Sequence, residues 1–163
     1  SNPITRHPAV QAGATLSLYE LAPGRVSVGI GSGDSAVYGL GRKQAKVVEV
    51  RDYIRAVRGL LRGEEVMWGE QTFKPQWREW EPPLPVKIYV AADGPKTIKM
   101  AAQEADGVMV STGIGAEPES IQYCYDLVRE GAEEVGRTRT PSRGRRGGRR
   151  CQPGNLASTL SPS

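Results

Sequence analysis

A chain of 163 residues with 38% hydrophobic content is long enough for one domain with a moderate core. Its formal net charge of +4 is set by its end: from Gly136 onward there are seven arginines and no acid, while the first 135 residues hold 15 basic and 18 acidic side chains. The mildly acidic body excludes the basic footprint of a nucleic-acid-binding domain, and no apolar run reaches the roughly 18 residues of a membrane-spanning helix.

Cys124 and Cys151 fit no zinc or CxxC spacing, and Ser1 to Arg6 is not a signal peptide. A reducing, cytoplasmic setting is the expectation.

In chain order, Pro8 to Leu21 predicts a helix. Pro8 suits the first turn, Val10, Ala14, Leu18 and Leu21 fall on one face, and Gly24 supplies the stop. Arg25 to Ile30 reads as a strand whose apolar run suits a parallel sheet covered on both faces. It runs into a glycine-rich loop, Gly29-Ile30-Gly31-Ser32-Gly33-Asp34. Gln44 to Leu61 predicts a second helix. Val47, Val50, Ile54, Val57 and Leu61 form its inner stripe; Lys46, Glu49, Arg51, Asp52, Arg55 and Arg58 form its outer face.

Gly63 to Pro85 reads as a long connection holding Trp68, Phe73, Trp77 and Trp80 with Pro75, Pro82, Pro83 and Pro85. Connections of this length often carry function, and the alternative is that the aromatics cap the helix surface. Val86 to Ala91 predicts a strand and Pro95 to Glu104 a short helix with Ile98 and Ala101 inward. Val108-Met109-Val110 predicts another strand, and Ser120 to Val135 a last helix with Ile121, Leu127 and Val128 in the core. Such alternation argues an α/β fold with a parallel sheet, either a TIM barrel or a doubly wound sheet. Gly136 to Ser163 is Arg, Gly, Pro and Ser with almost nothing to bury, so a disordered tail is expected. A shifted reading frame in a GC-rich gene would give such a composition.

Three strand ends carry polar or glycine-bearing loops, where α/β proteins bind ligands. The first departs from the dinucleotide fingerprint G-x-G-x-x-G, because Asp34 stands where the last glycine is needed. The second, Ala91-Ala92-Asp93-Gly94-Pro95, opens a helix whose first N–H groups favour an anion, with Asp93 as the expected cap. The third, Ser111-Thr112-Gly113-Ile114-Gly115, offers two hydroxyls. His7 is the only histidine, so no triad or histidine metal set can be built, and His7 reads as a helix-start residue. No residue stands out as nucleophile or general base. Any redox chemistry would then be carried by a bound cofactor.

These words together resemble the bacterial luciferase-like superfamily, in particular its coenzyme F420-dependent branch near methylenetetrahydromethanopterin reductase. The resemblance rests on Asn2-Pro3-Ile4-Thr5-Arg6-His7-Pro8, on Leu21 through Ala36, on Arg58 through Glu64, on Val90 through Pro95 and on Ala105-Asp106-Gly107-Val108. It implies a partial TIM-type (β/α)8 barrel over residues 1–135, incomplete at both ends, followed by the tail at 136–163. It implies a bound F420 or FMN at the carboxyl ends of the strands and hydride transfer to a small organic substrate. The alternatives are an FMN-dependent monooxygenase and a non-catalytic truncated product. By likeness, Asn2, Ala91, Ala92, Asp93 and Gly94 would contact the cofactor, and Ser111, Thr112 and Gly113 would lie at the substrate or phosphate end. Related sugar-phosphate dehydrogenases carry a lysine where Ile114 stands, which argues against a sugar phosphate. Intact members are expected to be homo-oligomers, and a segment lacking half the strands is expected to be inactive.

Overall fold

The computed structural model describes residues 1–76, 84–111 and 117–137, and the backbone of a strand at 155–159. The chain divides into two compact units, Ser1–Ile88 and Tyr89–Ser163.

In the first unit, helix α1 (Pro8–Leu21) packs on helix α3 (Val47–Leu61). α1 has the expected bounds. His7 caps it, its Nδ1 accepting from Ala9 N at 3.2 Å, and Pro8 sits in the first turn. Its buried side is not the expected apolar face: Pro8, Gln11, Ala12, Thr15 and Leu16 face inward, whereas Val10, Leu18 and Leu21 are exposed. Hydrogen bonding makes this possible. Gln11 Nε2 donates to Thr15 Oγ1 at 3.1 Å, Thr15 Oγ1 donates to the Gln11 carbonyl at 2.7 Å, and Arg6 donates to Gln11 Oε1 at 3.3 Å. Buried polar groups satisfied in this way carry little penalty.

Strand β1 spans Ser27–Ile30. It starts two residues later than the sequence predicts because Arg25 N donates to the Ala22 carbonyl, closing the turn after α1. Only Val28 and Ile30 are buried, in alternation with exposed Ser27 and Gly29, so this strand is covered on one face rather than two. A short helix, α2 (Ser35–Tyr38), follows. α3 begins three residues after the expected start. Ala45 is buried and extended, its N–H donating to the Ser32 carbonyl at 2.8 Å, and Glu49 Oε2 accepts from Lys46 N at 2.6 Å to open the helix. Val50, Tyr53, Ile54, Val57, Leu60 and Leu61 are its buried face, as the spacing predicts for most of them. Each aliphatic member contributes about 1.5–3 kcal/mol by leaving water.

The expected long connection contains a hairpin, β2 (Val66–Trp68) with β3 (Gln71–Phe73), paired antiparallel with Trp68 opposite Gln71. The two-residue turn starts at Gly69 with φ +62°, the residue a type II′ turn requires there. Two of the four aromatics do cap a helix: Trp68 and Phe73 lie against His7, with centroids 6.4 and 5.1 Å away, and Trp68 meets Tyr53 edge-on at 5.6 Å. Trp77, Trp80, Pro82 and Pro83 lie outside the described residues.

Strand β4 (Lys87–Ala91) carries the chain into the second unit. There it pairs in parallel with β5 (Gly107–Ser111) through Tyr89–Gly107, Val90–Val108 and Ala91–Met109. Between them runs α4 (Pro95–Glu104), with the expected bounds and with Ile98 and Ala101 buried. α5 (Pro118–Glu133) packs on α4 with Leu127, Val128, Gly131 and Ala132 buried; Ile121 is only half-buried. A side chain at Gly131 would come within 2.7 Å of the Lys99 carbonyl, so the absence of a Cβ there sets how closely the two helices approach.

Two parts of the stretch read as tail take part in this unit. Arg137 donates to the carbonyls of Ala102, Gln103 and Ala105, and Asn155–Thr159 forms β6, antiparallel to β5. The rest of that stretch, Cys151 included, lies outside the described residues.

Candidate functional site

Each unit places its candidate residues at the carboxyl end of a strand. In the first, the Ser1 amine donates to the Gly29 carbonyl at 2.7 Å and Gly31 N donates to the Ser1 carbonyl at 2.9 Å, one parallel rung opposite Ile30. Asn2 therefore stands just beyond the end of β1, and it is 8% exposed. Its Oδ1 accepts from Ile4 N at 3.0 Å, Thr5 N at 2.9 Å and Thr5 Oγ1 at 3.0 Å, a local turn that aims the chain into α1. Three donors on one atom fix which side of the amide is oxygen. The amide nitrogen has no acceptor among the described residues. A buried N–H2 without a partner costs about 1–3 kcal/mol, so it suits a ligand that brings an acceptor.

The glycine-rich loop closes over Asn2. Gly33 has φ +94°; a Cβ there would collide with Val37 Cγ2 and sit 3.5 Å from Asn2 Cγ. Both the backbone conformation and the space demand glycine. The loop shapes the wall around Asn2 and offers no cradle of its own at that point.

Tyr53 is fully buried beneath the start of the chain, its hydroxyl 3.3 Å from Ser1 Oγ. Burial pushes its pKa above the usual 10, against the opposing effects of the Ser1 hydrogen bond and the Arg6 charge.

In the second unit, Ala91 ends β4, and Ala92 N donates to the Met109 carbonyl at 2.9 Å. Ala92 is buried, while Ala91 and Asp93 are exposed. The cap of α4 is Gly94, not the expected Asp93, and no side chain caps the helix. An extended Gly94 (φ −94°, ψ 151°) ahead of Pro95 takes the cap position and leaves Asp93 one residue too early to reach the helix start. The first N–H groups of α4 thus receive no side-chain cap from Gly94 or Asp93. A Cβ on Gly94 would meet no atom of the described residues within 4 Å, so among them the space beside that backbone is open. Ser111 ends the neighbouring parallel strand β5. Ala91 through Gly94 and Ser111 thus gather at one rim. Thr112, Gly113 and Ile114 lie outside the described residues.

Sequence reasoning missed a cavity of about 760 Å³ in the first unit, lined on one side by Pro3 and Ile4, on another by Glu49, Asp52 and Arg55 of α3, and on a third by Trp68 and its hairpin neighbours. The signal was present: Val66-Met67-Trp68 and Gln71-Thr72-Phe73 flank Gly69-Glu70, the pattern of a two-residue hairpin. Among the described residues no group of three or more His, Cys, Asp and Glu side chains could hold a metal ion, and no helix is long and apolar enough to cross a membrane.

The sequence profile described as luciferase-like monooxygenase matches residues 1–145. The chain belongs to the luciferase-like monooxygenase family. It is 30% identical over 145 residues to a 5,10-methylenetetrahydromethanopterin reductase of Methanolobus tindarius, covering 84% of this chain and 42% of that one. It is 34% identical over 139 residues to an F420-dependent glucose-6-phosphate dehydrogenase of Beutenbergia cavernae, covering 81% and 41%. The coenzyme F420-dependent tetrahydromethanopterin reductase structure from Methanopyrus kandleri superimposes with a TM-score of 0.69 at 23% identity, covering 83% of this chain and 44% of that one. This luciferase-like chain therefore spans less than half the length of the relatives it matches, and its alternating strands and helices follow part of their TIM-type fold.

Proposed function

We propose that this chain carries the cofactor rim of a luciferase-like oxidoreductase. The group held there is coenzyme F420 or a flavin, and the reaction is hydride transfer to a small organic substrate, as in the methylenetetrahydromethanopterin reductases. The single observation that carries the reading is Asn2, a buried amide whose oxygen is fully used and whose nitrogen has no acceptor among the described residues. The open backbone at Gly94 supports it, because a planar ring can approach where no side chain stands. When bound, the cofactor supplies the hydride. The chain's residues bind and orient. Asn2 donates to a carbonyl or ring acceptor, while Ala91, Ala92 and Gly94 line the approach. The start of α4 faces the phosphate or substrate end, to which likeness to the family also assigns Ser111, Thr112 and Gly113. Asp93, left exposed and not used as the cap, lies beside that end.

On this reading the chain, which spans less than half the length of its relatives, binds the cofactor without turnover. The family's own description favours a second reading, an FMN-dependent monooxygenase. A cytoplasmic setting accords with either.

Equilibrium dialysis of the purified chain against F420 and against FMN tests the proposal. Binding of one of them, weakened at least about tenfold by Asn2→Ala, is expected. Failure to bind either, or binding untouched by the substitution, overturns the assignment of Asn2. Preference for FMN moves the reading to the monooxygenase. Turnover of reduced cofactor by the chain alone overturns its inactivity.

A further inference from the structure

We propose that the cavity between α3 and the β2–β3 hairpin binds a small organic cation, an amine carried on an aromatic or aliphatic body. Its volume of about 760 Å³ lies in the range of small-molecule sites. Neither Asn2 nor Gly94 is among its lining residues, so the site holds whether or not the cofactor reading does.

Two walls are apolar. Pro3 and Ile4 form one, and Met67 and Trp68 of the hairpin form the other. Met67 is 72% exposed, a large apolar side chain left in water at the edge of the cavity. Its unbranched thioether adapts to the shape of what it meets. Trp68 is held in place by two rings, Tyr53 at 5.6 Å and His7 at 6.4 Å, both in T-shaped contact. Of the aromatic side chains, an indole attracts a cation most strongly.

The third wall carries charge. Glu49 and Asp52 stand three residues apart on α3, which makes their carboxylates neighbours on one face. Each has one oxygen committed: Glu49 Oε2 accepts from Lys46 N at 2.6 Å, and Asp52 Oδ1 accepts from Arg51 Nε at 3.1 Å. Among the described residues the second oxygen of each carries no hydrogen bond. Like charges placed in this way repel one another. An ammonium lodged between them relieves the repulsion and donates to both. Arg55, the cation in the lining, has an interaction of its own, and two acids to one base leave the lining net negative. An anion would meet the carboxylates, and a wholly apolar ligand would bury them without a donor. An amine on an apolar body satisfies all three walls.

The test follows the methionine methyl resonances of the isotope-labelled chain during titration with phenethylamine. A parallel titration uses hydrocinnamate, which carries a carboxylate on a similar ring and tether. Saturable binding of the amine with Kd below about 1 mM is expected, with the carboxylate at least about tenfold weaker. The Met67 methyl should shift on binding, and that of Met100, buried in α4, should not. Glu49→Gln combined with Asp52→Asn should weaken the amine at least about tenfold. Glutamine serves a capping box as well as glutamate, so the start of α3 is kept. Glu20→Gln, the same loss of charge on α1, should leave the affinity unchanged. No saturable binding of the amine, a carboxylate probe that binds as well, a Met67 methyl that does not move, or an affinity unchanged by the double variant overturns the proposal.

Discussion

Gly33 and Gly94 occupy matching places, each in a loop just past the end of a strand, and the protein uses them in opposite ways. Around Gly33 the space is taken: Val37 and Asn2 crowd the position a Cβ would need, and φ +94° suits no other residue type. Around Gly94 the described residues leave the space open, and φ −94° would admit any residue. The first glycine serves the protein's own packing. The second is dispensable to the fold, and its value lies in what can approach it. A glycine-rich loop in a sequence is therefore two different signals, separable only by asking what fills the volume beside it.

Breaking the first loop should have the largest effect. Gly33→Val adds strain and overpacking together, a loss of about 2–5 kcal/mol in the first unit, measured by denaturant unfolding. Gly94→Ala should leave stability within about 0.5 kcal/mol and weaken cofactor binding about tenfold by dialysis. If both substitutions cost stability alike, the contrast fails. Tyr53→Phe sharpens the account of the wall behind Asn2. Because burial raises the folded-state pKa of Tyr53, its contribution is complete below about pH 10 and is lost as pH rises through the folded value. The wild-type chain should lose stability on the alkaline side of about pH 10 by a component that Tyr53→Phe removes. Curves that stay parallel would show that Tyr53 remains protonated or is not the responsible group. The smallest effect is expected at Lys99, whose amine lies 2.6 Å from Glu130 and 3.8 Å from Glu134 on the exposed side of α4 and α5. The Glu130 hydrogen bond raises its pKa, yet screening of this partly exposed pair by water and salt leaves Lys99→Met near the limit of detection in thermal melts.

Periodicity and punctuation made much of this fold legible. α1 starts and stops where Pro8 and Gly24 direct, α4 starts at Pro95 and stops before the Ala105-Asp106-Gly107 turn, and most of the inner stripe of α3 follows from its spacing. What periodicity could not show is which apolar face meets the rest of the unit. Val10, Ala14, Leu18 and Leu21 form as good a stripe as α3 has, but Gln11 and Thr15 satisfy each other and take the inner side. The hairpin escaped notice because its strands are three residues long, too short for alternation to stand out. At the candidate site, Asn2 was found through likeness to a family. That its nitrogen is left without an acceptor among the described residues follows from three hydrogen bonds that no spacing rule reports. Asp93 was assigned to the cap on type alone, and a one-residue offset gave that place to Gly94.

Arg137 ties the start of the arginine-rich stretch to the second unit. Composition draws the line at Gly136, where the arginine-rich text begins, but one guanidinium from beyond that line reaches back to three carbonyls at the close of α4. Those carbonyls lack helical donors of their own, so the arginine acts as a borrowed terminal cap. Trimming the chain at Val135 as a tidy domain edge would uncap a helix thirty residues upstream. The first loosening would then show in the last turn of α4, the far end of the helix whose start faces the proposed ligand.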